Sequence, residues 1–146
     1  MTKAQLPVRG DLFYDIDTHV WAERATPGSV RVGLDPLGAE TSGDIVALSF
    51  HPDGTRVRRG EAFGSLEAAK FVGPLIAPVS GVIRTHNADA LARPGHINRD
   101  PFGTWLIELE LDDAGELAEL LTGEAEVAAW FARERDRYRQ KGMLAP

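Results

Sequence analysis

The chain has 146 residues, enough for one hydrophobic core but not two, with 43% hydrophobic residues and a formal net charge of −6. It contains no cysteine, which removes disulfide frameworks, thiolate zinc sites and cysteine nucleophiles together. Its acidic balance argues against phosphate backbones as partners.

No run approaches the roughly 18 apolar residues that a membrane span needs. The opening "MTKAQLPVRGDLFYDI" has no apolar segment of signal-peptide type. A cytoplasmic protein that binds neither nucleic acid nor membrane is expected. The charge is uneven: up to Thr122 there are 11 Lys/Arg against 18 Asp/Glu, and beyond it 5 against 4. An acidic body of this kind suits protein partners with basic docking surfaces.

Residues 1–11 lack periodicity and read as a loose arm. "LFYDIDTHVWAER" (12–24) is rich in aromatic and β-branched residues and reads as strand. "TPGSVRVGLDP" (26–36) gives a turn and then an alternating strand. In "GAETSGDIVALSF" (38–50) a short polar segment, readable as a helical turn, precedes the strand. From His51 to Asn87 the chain breaks at Pro-Asp-Gly, Arg-Gly, Gly-Pro and Ser-Gly into runs of four to seven residues. That is the spacing of a β-sandwich or small barrel. "ADALARPGHINRDPFG" (88–103), with its prolines and glycines, reads as a structured loop.

"TWLIELEL" (104–111) alternates, with Trp105, Ile107, Leu109 and Leu111 inward and Leu106, Glu108 and Glu110 mostly outward. From Asp113 the period changes to that of two helical pieces parted near Thr122-Gly123. In the second, Val127, Phe131, Glu134 and Tyr138 share a stripe with Trp130 beside it. Its acidic start and basic end suit the helix dipole. The stripe is too apolar to leave in water, so this helix is expected to pack on the sandwich. The fold class is mainly β with added C-terminal helices.

No phosphate loop, dinucleotide fingerprint or nucleophile elbow is present. The four histidines are scattered, with no i,i+4 pair and no acidic cluster nearby in sequence, and read as surface or half-buried side chains. Asp15 and Asp17 read as turn or surface carboxylates. Nothing in the chain assembles an active site. One lysine stands out: in "GSLEAAKFVGPLIAPVSG" (64–81) Lys70 is the sole positive charge, set just before a Gly-Pro break at the reversal between two strands. A bare loop lysine is commonplace. An exposed primary amine on a tight turn is also what a modifying ligase needs to reach.

Here the residues resemble a family. "THVWAE", "VRVGLDPLGAETSGDIVALSF", "GEAFGSLEAAKFVGPLIAPVSGVI" and "HNADALARPGHINRDPFGTWL" follow in order over about a hundred residues. Together they resemble the glycine cleavage system H protein, with its His-x-Trp strand, Glu-x-x-Lys hairpin, Ala-Pro-Val-Ser-Gly exit and Asn-x-Asp-Pro closure. Biotin carriers flank their lysine with methionine, and 2-oxoacid dehydrogenase lipoyl domains lack the "INRDPFG" segment, so both fit less well. The resemblance implies a barrel-sandwich hybrid of lipoyl-domain type. It also implies a lipoate covalently attached to Lys70, and Glu67 as part of what the lipoylating enzyme reads.

The organisation implied is an arm over 1–11, a lipoyl-carrier domain over 12–112 and a helical extension over 113–146 packed on it. Such a protein is a carrier and not an enzyme. Its expected partners are a lipoate ligase or lipoyl transferase and the decarboxylase, aminomethyltransferase and dihydrolipoamide dehydrogenase of a glycine cleavage system. The flank "EAAKFVGP" and the long basic tail depart from the usual pattern. They leave open an H-like lipoate-binding protein that carries sulfur intermediates to a heterodisulfide-reductase-like complex in bacterial sulfur oxidation. A non-lipoylated interaction domain that has kept the fold is the alternative of another class.

Overall fold

Alternation of apolar and polar residues over short glycine- and proline-bounded runs builds strands that each bury one face. The computed structural model describes residues 8–144. The strands are β1 (Phe13–Asp15), β2 (Val20–Arg24), β3 (Ser29–Leu34), β4 (Ile45–Phe50), β5 (Arg56–Val57), β6 (Ala62–Ala68), β7 (Val72–Ile76), β8 (Gly81–His86) and β9 (Ile107–Leu111). The helices are α1 (Pro36–Ser42), α2 (Ala88–Ala92), α3 (His96–Arg99) and α4 (Glu124–Gln140), with a 3-10 helix over Ala114–Glu119.

One sheet has the order β1-β2-β3-β9-β8-β5 and the other β4-β6-β7. Every pairing is antiparallel. Val20, Val30, Val32, Phe63, Leu66, Leu75, Ile83 and Leu109 fill the main core between them. A second apolar cluster lies outside the larger sheet, where Val127, Trp130 and Phe131 of α4 meet Leu12, Tyr14, Trp21 and Leu37. Burying each of these large side chains contributes roughly 1.5–3 kcal/mol. Among the described residues no helix is long and apolar enough to cross a membrane.

Local structure differs from the sequence reading at four places. Residues 1–7 of the expected arm lie outside the described residues. Residues 8–11 are not loose: the Tyr14 hydroxyl donates to the Arg9 carbonyl, the Gly123 amide donates to the Gly10 carbonyl, and Arg9 pairs with Asp11 and Glu23.

The polar segment before β4 is a full short helix. The Asp35 carboxylate caps it by accepting from the Gly38 amide at 2.9 Å, and Pro36 supplies its first turn. The expected loop over 88–103 contains α2, capped by Asn87, and α3. Leu106 and Glu108 are buried, not outward. β9 lies centrally between β3 and β8, and Glu108 is covered there by Ser29, Arg31 and Arg84.

Candidate functional site

The β6–β7 hairpin presents Lys70. β6 ends at Ala68 and β7 begins at Val72, which leaves Ala69, Lys70 and Phe71 as the reversal. The Ala68 amide closes it on the Phe71 carbonyl at 2.9 Å. Two further bonds tie the tip to the α1–β4 connection: the Lys70 amide donates to the Ser42 carbonyl at 2.8 Å, and the Ala69 amide to the Asp44 carbonyl at 3.0 Å. The backbone of the tip is thus held in place while Lys70 is exposed. Gly43 makes this approach possible. It has φ 78°, and a Cβ there would sit 3.1 Å from Lys70 Cε, so a side chain would be both strained and crowded.

Glu67 projects from the exposed face of β6, opposite Ala47 on one side and Val72 on the other. Among the described residues it makes no ion pair with Lys70. Phe71 and Val72 are 45% and 74% exposed, so the hairpin tip carries an uncovered apolar pair. Asp15 and Asp17 form a turn, with the Asp17 amide donating to Asp15 Oδ1 at 3.0 Å.

A groove of about 360 Å³ opens beside the lysine. Lys70 and Phe71 form one lip, and Val20, Leu34, Leu66 and Leu75 part of its floor. Tyr138 and Met143, from the end of α4 and the residues after it, line it as well. Asp17 is the one carboxylate among its lining residues, and the buried Thr18 Oγ1 there has no hydrogen-bond partner. An exposed amine beside a largely apolar groove fits a long acyl group ending in a sulfur ring, because sulfur and methylenes are soft and neutral.

Against this groove lies a cluster that the sequence did not reveal. His19 was expected at the surface or half-buried, yet it is only 4% exposed and sits between two carboxylates. Its Nδ1 lies 2.7 Å from Asp35 Oδ2 and its Nε2 2.9 Å from Glu134 Oε1. The ring stacks on Trp130 with centroids 4.9 Å apart and also meets Tyr138 at 5.5 Å. Its backbone takes a left-handed φ of 58°, at a cost of about 1 kcal/mol or more. The Asp35 amide, donating to the His19 carbonyl at 2.9 Å, holds it there.

Burial works against a charged imidazole, but hydrogen bonds and charges from Asp35 and Glu134 outweigh it and raise His19 above its ordinary value. Burial pushes the Asp35 carboxyl up, opposed by His19 and the helix cap. The Arg137 guanidinium, then His19, hold Glu134 below the usual carboxylate range despite partial burial. Both ring nitrogens facing carboxylate oxygens is the arrangement of an imidazolium donating twice. This is an ion-pair network: among the described residues no group of three or more His, Asp or Glu is arranged to hold a metal ion.

The sequence signals available were the His-x-Trp dyad at His19 and Trp21 and the Asp35-Pro36 helix start. Neither names Glu134 as the third member.

Comparison with known proteins finds relatives of the whole fold. The family model described as glycine cleavage H-protein matches residues 12–133. The chain is 31% identical over 129 residues to the probable glycine cleavage system H protein 2 of Sulfurisphaera tokodaii, covering 88% of this chain and 87% of that one. It is 34% identical over 121 residues to the glycine cleavage system H protein of Mycobacterium avium, covering 82% and 91%. The crystal structure of a glycine cleavage system H protein from Mycobacterium marinum superposes with a TM-score of 0.74 at 34% identity, covering 87% of this chain and 98% of that one. The shared fold is the barrel-sandwich hybrid of lipoyl domains.

Proposed function

The chain belongs to the glycine cleavage H-protein family, whose members carry lipoate on a lysine, and we propose that in this chain that lysine is Lys70. The protein is a lipoyl carrier and not an enzyme. The bound group supplies a dithiolane that accepts a carried group or electrons; the chain supplies tethering, orientation and docking. The observation that carries the assignment is the anchored hairpin tip: Lys70 is exposed, its backbone is fixed by Ser42 and Asp44, and the groove opens beside it. Lys3 and Lys141 are the chain's other lysines. Glu67, exposed on the same hairpin without an ion pair to Lys70, is proposed as the acidic mark that the lipoylating enzyme reads.

The family works with the enzymes of a glycine cleavage system. In this reading the partners are its decarboxylase, aminomethyltransferase and dihydrolipoamide dehydrogenase, together with a lipoate ligase or lipoyl transferase. Residues 12–112 are taken as the carrier domain and 113–146 as its extension, on the support that the main core is built almost entirely from the former. Tethering makes the encounter of arm and partner active site effectively intramolecular.

Intact and peptide mass spectrometry after incubation with lipoate ligase, ATP and lipoate tests the assignment. One lipoyl unit on Lys70 is expected, and lipoate on Lys3 or Lys141 overturns it.

The groove lining favours a second reading. Val20, Leu34, Leu66, Phe71, Pro74 and Leu75 face it, with Asp17 as its one carboxylate. A cationic amine carried among such residues has Asp17 as its one carboxylate partner, so the lining supplies little to hold an aminomethyl group. A carrier of sulfur intermediates for a heterodisulfide-reductase-like complex therefore stands beside the glycine reading. Reconstitution of the lipoylated protein with a glycine decarboxylase separates them: glycine-dependent release of carbon dioxide supports the first, and its absence the second.

A further inference from the structure

We propose that His19 and Glu134 are positioning residues for the lipoyl arm: the grip of Asp35 and Glu134 on His19 fixes the end of α4, so that Tyr138 and Met143 wall the groove beside Lys70 and shield the arm. This rests on the reading that Lys70 bears the lipoyl group. The groove has two kinds of wall. Val20, Leu34 and Phe71 come from the sheets and the hairpin, while Tyr138 and Met143 come from the C-terminal segment.

Apolar burial anchors the first half of α4, where Val127, Trp130 and Phe131 are 0%, 6% and 2% exposed. Beyond Phe131 the polar link from the helix to the body is Glu134 on His19, whereas Arg137–Glu134 and Arg139–Asp136 bond within the helix. Glu134 is one turn before Tyr138, and the His19 ring touches Tyr138 directly. The ring thus grips the helix and contacts the wall residue at once.

The helix end is shaped for the same purpose. The Gly142 amide donates to the Arg139 carbonyl at 3.0 Å and the Met143 amide to the Tyr138 carbonyl at 2.9 Å, with Gly142 at φ 73°. This paired termination turns the chain back on itself and sets Met143 against Tyr138. Leu144, 9% exposed, then returns to the apolar cluster beneath the helix.

The charged and titratable groups facing His19 come from three sides. Asp35 lies at the start of α1; Glu134, Arg137 and Tyr138 lie on α4; Asp17 and Lys70 line the same groove.

The experiment uses the full-length lipoylated chain, its modification first verified by mass, with the arm reduced by a phosphine. Alkylation of its thiols by N-ethylmaleimide is timed against free dihydrolipoamide at the same pH, which cancels the intrinsic thiol reactivity. The wild type is expected to react several-fold more slowly than the free compound. Glu134→Gln, and separately Tyr138→Ala with Met143→Ala, should bring the rate close to that of free dihydrolipoamide. The second variant changes two partly exposed positions and tests the wall even if the first folds poorly.

In parallel, the His19 ring resonances of the unmodified chain should titrate above the ordinary histidine range, and lower in Glu134→Gln. Wild-type thiols as reactive as the free compound overturn the proposal. So do variants that lose stability while keeping full protection, which would make the cluster structural only. A chain that takes no lipoyl mass at Lys70 sinks the lipoyl reading itself, an outcome visible before any alkylation is timed.

Discussion

Lys70 and Glu67 occupy the same hairpin, and point changes separate the two roles proposed for them. Lys70→Arg keeps the charge and the exposed position while removing the primary amine. It is expected to abolish lipoylation, read as loss of the added mass, with stability within about 0.5 kcal/mol of wild type. Glu67→Ala removes a carboxylate that makes no ion pair with Lys70, so stability should change as little. Lipoylation by the ligase should slow; unchanged ligase kinetics would reduce Glu67 to a solvated surface charge. The hairpin that carries both was legible in the sequence because it is local: strand, reversal and Gly-Pro break all fall within residues 64–81. His19 was not, because its partners lie 16 and 115 residues away and only the folded chain brings them together.

At the scale of elements, the His19 network joins the start of β2, the cap of α1 and the middle of α4, and its pH dependence has a definite sign. His19 is raised above 6.5, so the stability it contributes is fully present below 6.5 and lost as the pH rises through its folded value. Glu134 is lowered below 4.5, so its contribution is present above 4.5 and lost as the pH falls through its folded value. Asp35, raised by burial, adds stability on protonation and offsets part of that acid loss.

Glu134→Gln should therefore cost the most, about 1.5 kcal/mol for a hydrogen bond between charged groups, in the window between 4.5 and 6.5. The difference from wild type should shrink in alkaline solution, measured by urea unfolding across pH; a difference independent of pH would mean that His19 is not charged in the folded protein. The strands were legible because glycines and prolines punctuate them. Of the short helices only a turn of α1 was read and α2 and α3 were not, since seven, five and four residues are too few to show a period. Glu108 was misread because alternation assumes one wet face, whereas β9 is covered on both, with Arg31 and Arg84 reaching over Glu108 and Arg31 also lying 4.4 Å above the Trp105 ring.

Across the whole molecule, the C-terminal segment has to stabilise the carrier without closing it. α4 buries Val127, Trp130 and Phe131 on the outer face of the larger sheet, away from the hairpin, and only its end reaches the groove. Lys70 thus stays exposed while Tyr138 and Met143 line the groove beside it. Truncation after Thr122 separates the two roles. It keeps the reciprocal backbone bonds of Tyr14 and Leu121 and the Thr122 hydroxyl on the Leu12 carbonyl, but uncovers Tyr14, Trp21 and Leu37. Each buried aromatic is worth roughly 1.5–3 kcal/mol, partly offset by the entropy released when the helix is removed. A net loss of a few kcal/mol lowers the melting temperature of a chain this size by on the order of 10 °C. The truncated protein, assayed well below that lowered temperature, should still accept lipoate on Lys70, because the hairpin is anchored by Ser42 and Asp44 and not by α4. Loss of lipoylation in a truncated chain that remains folded would show instead that the helix forms part of the surface the ligase reads.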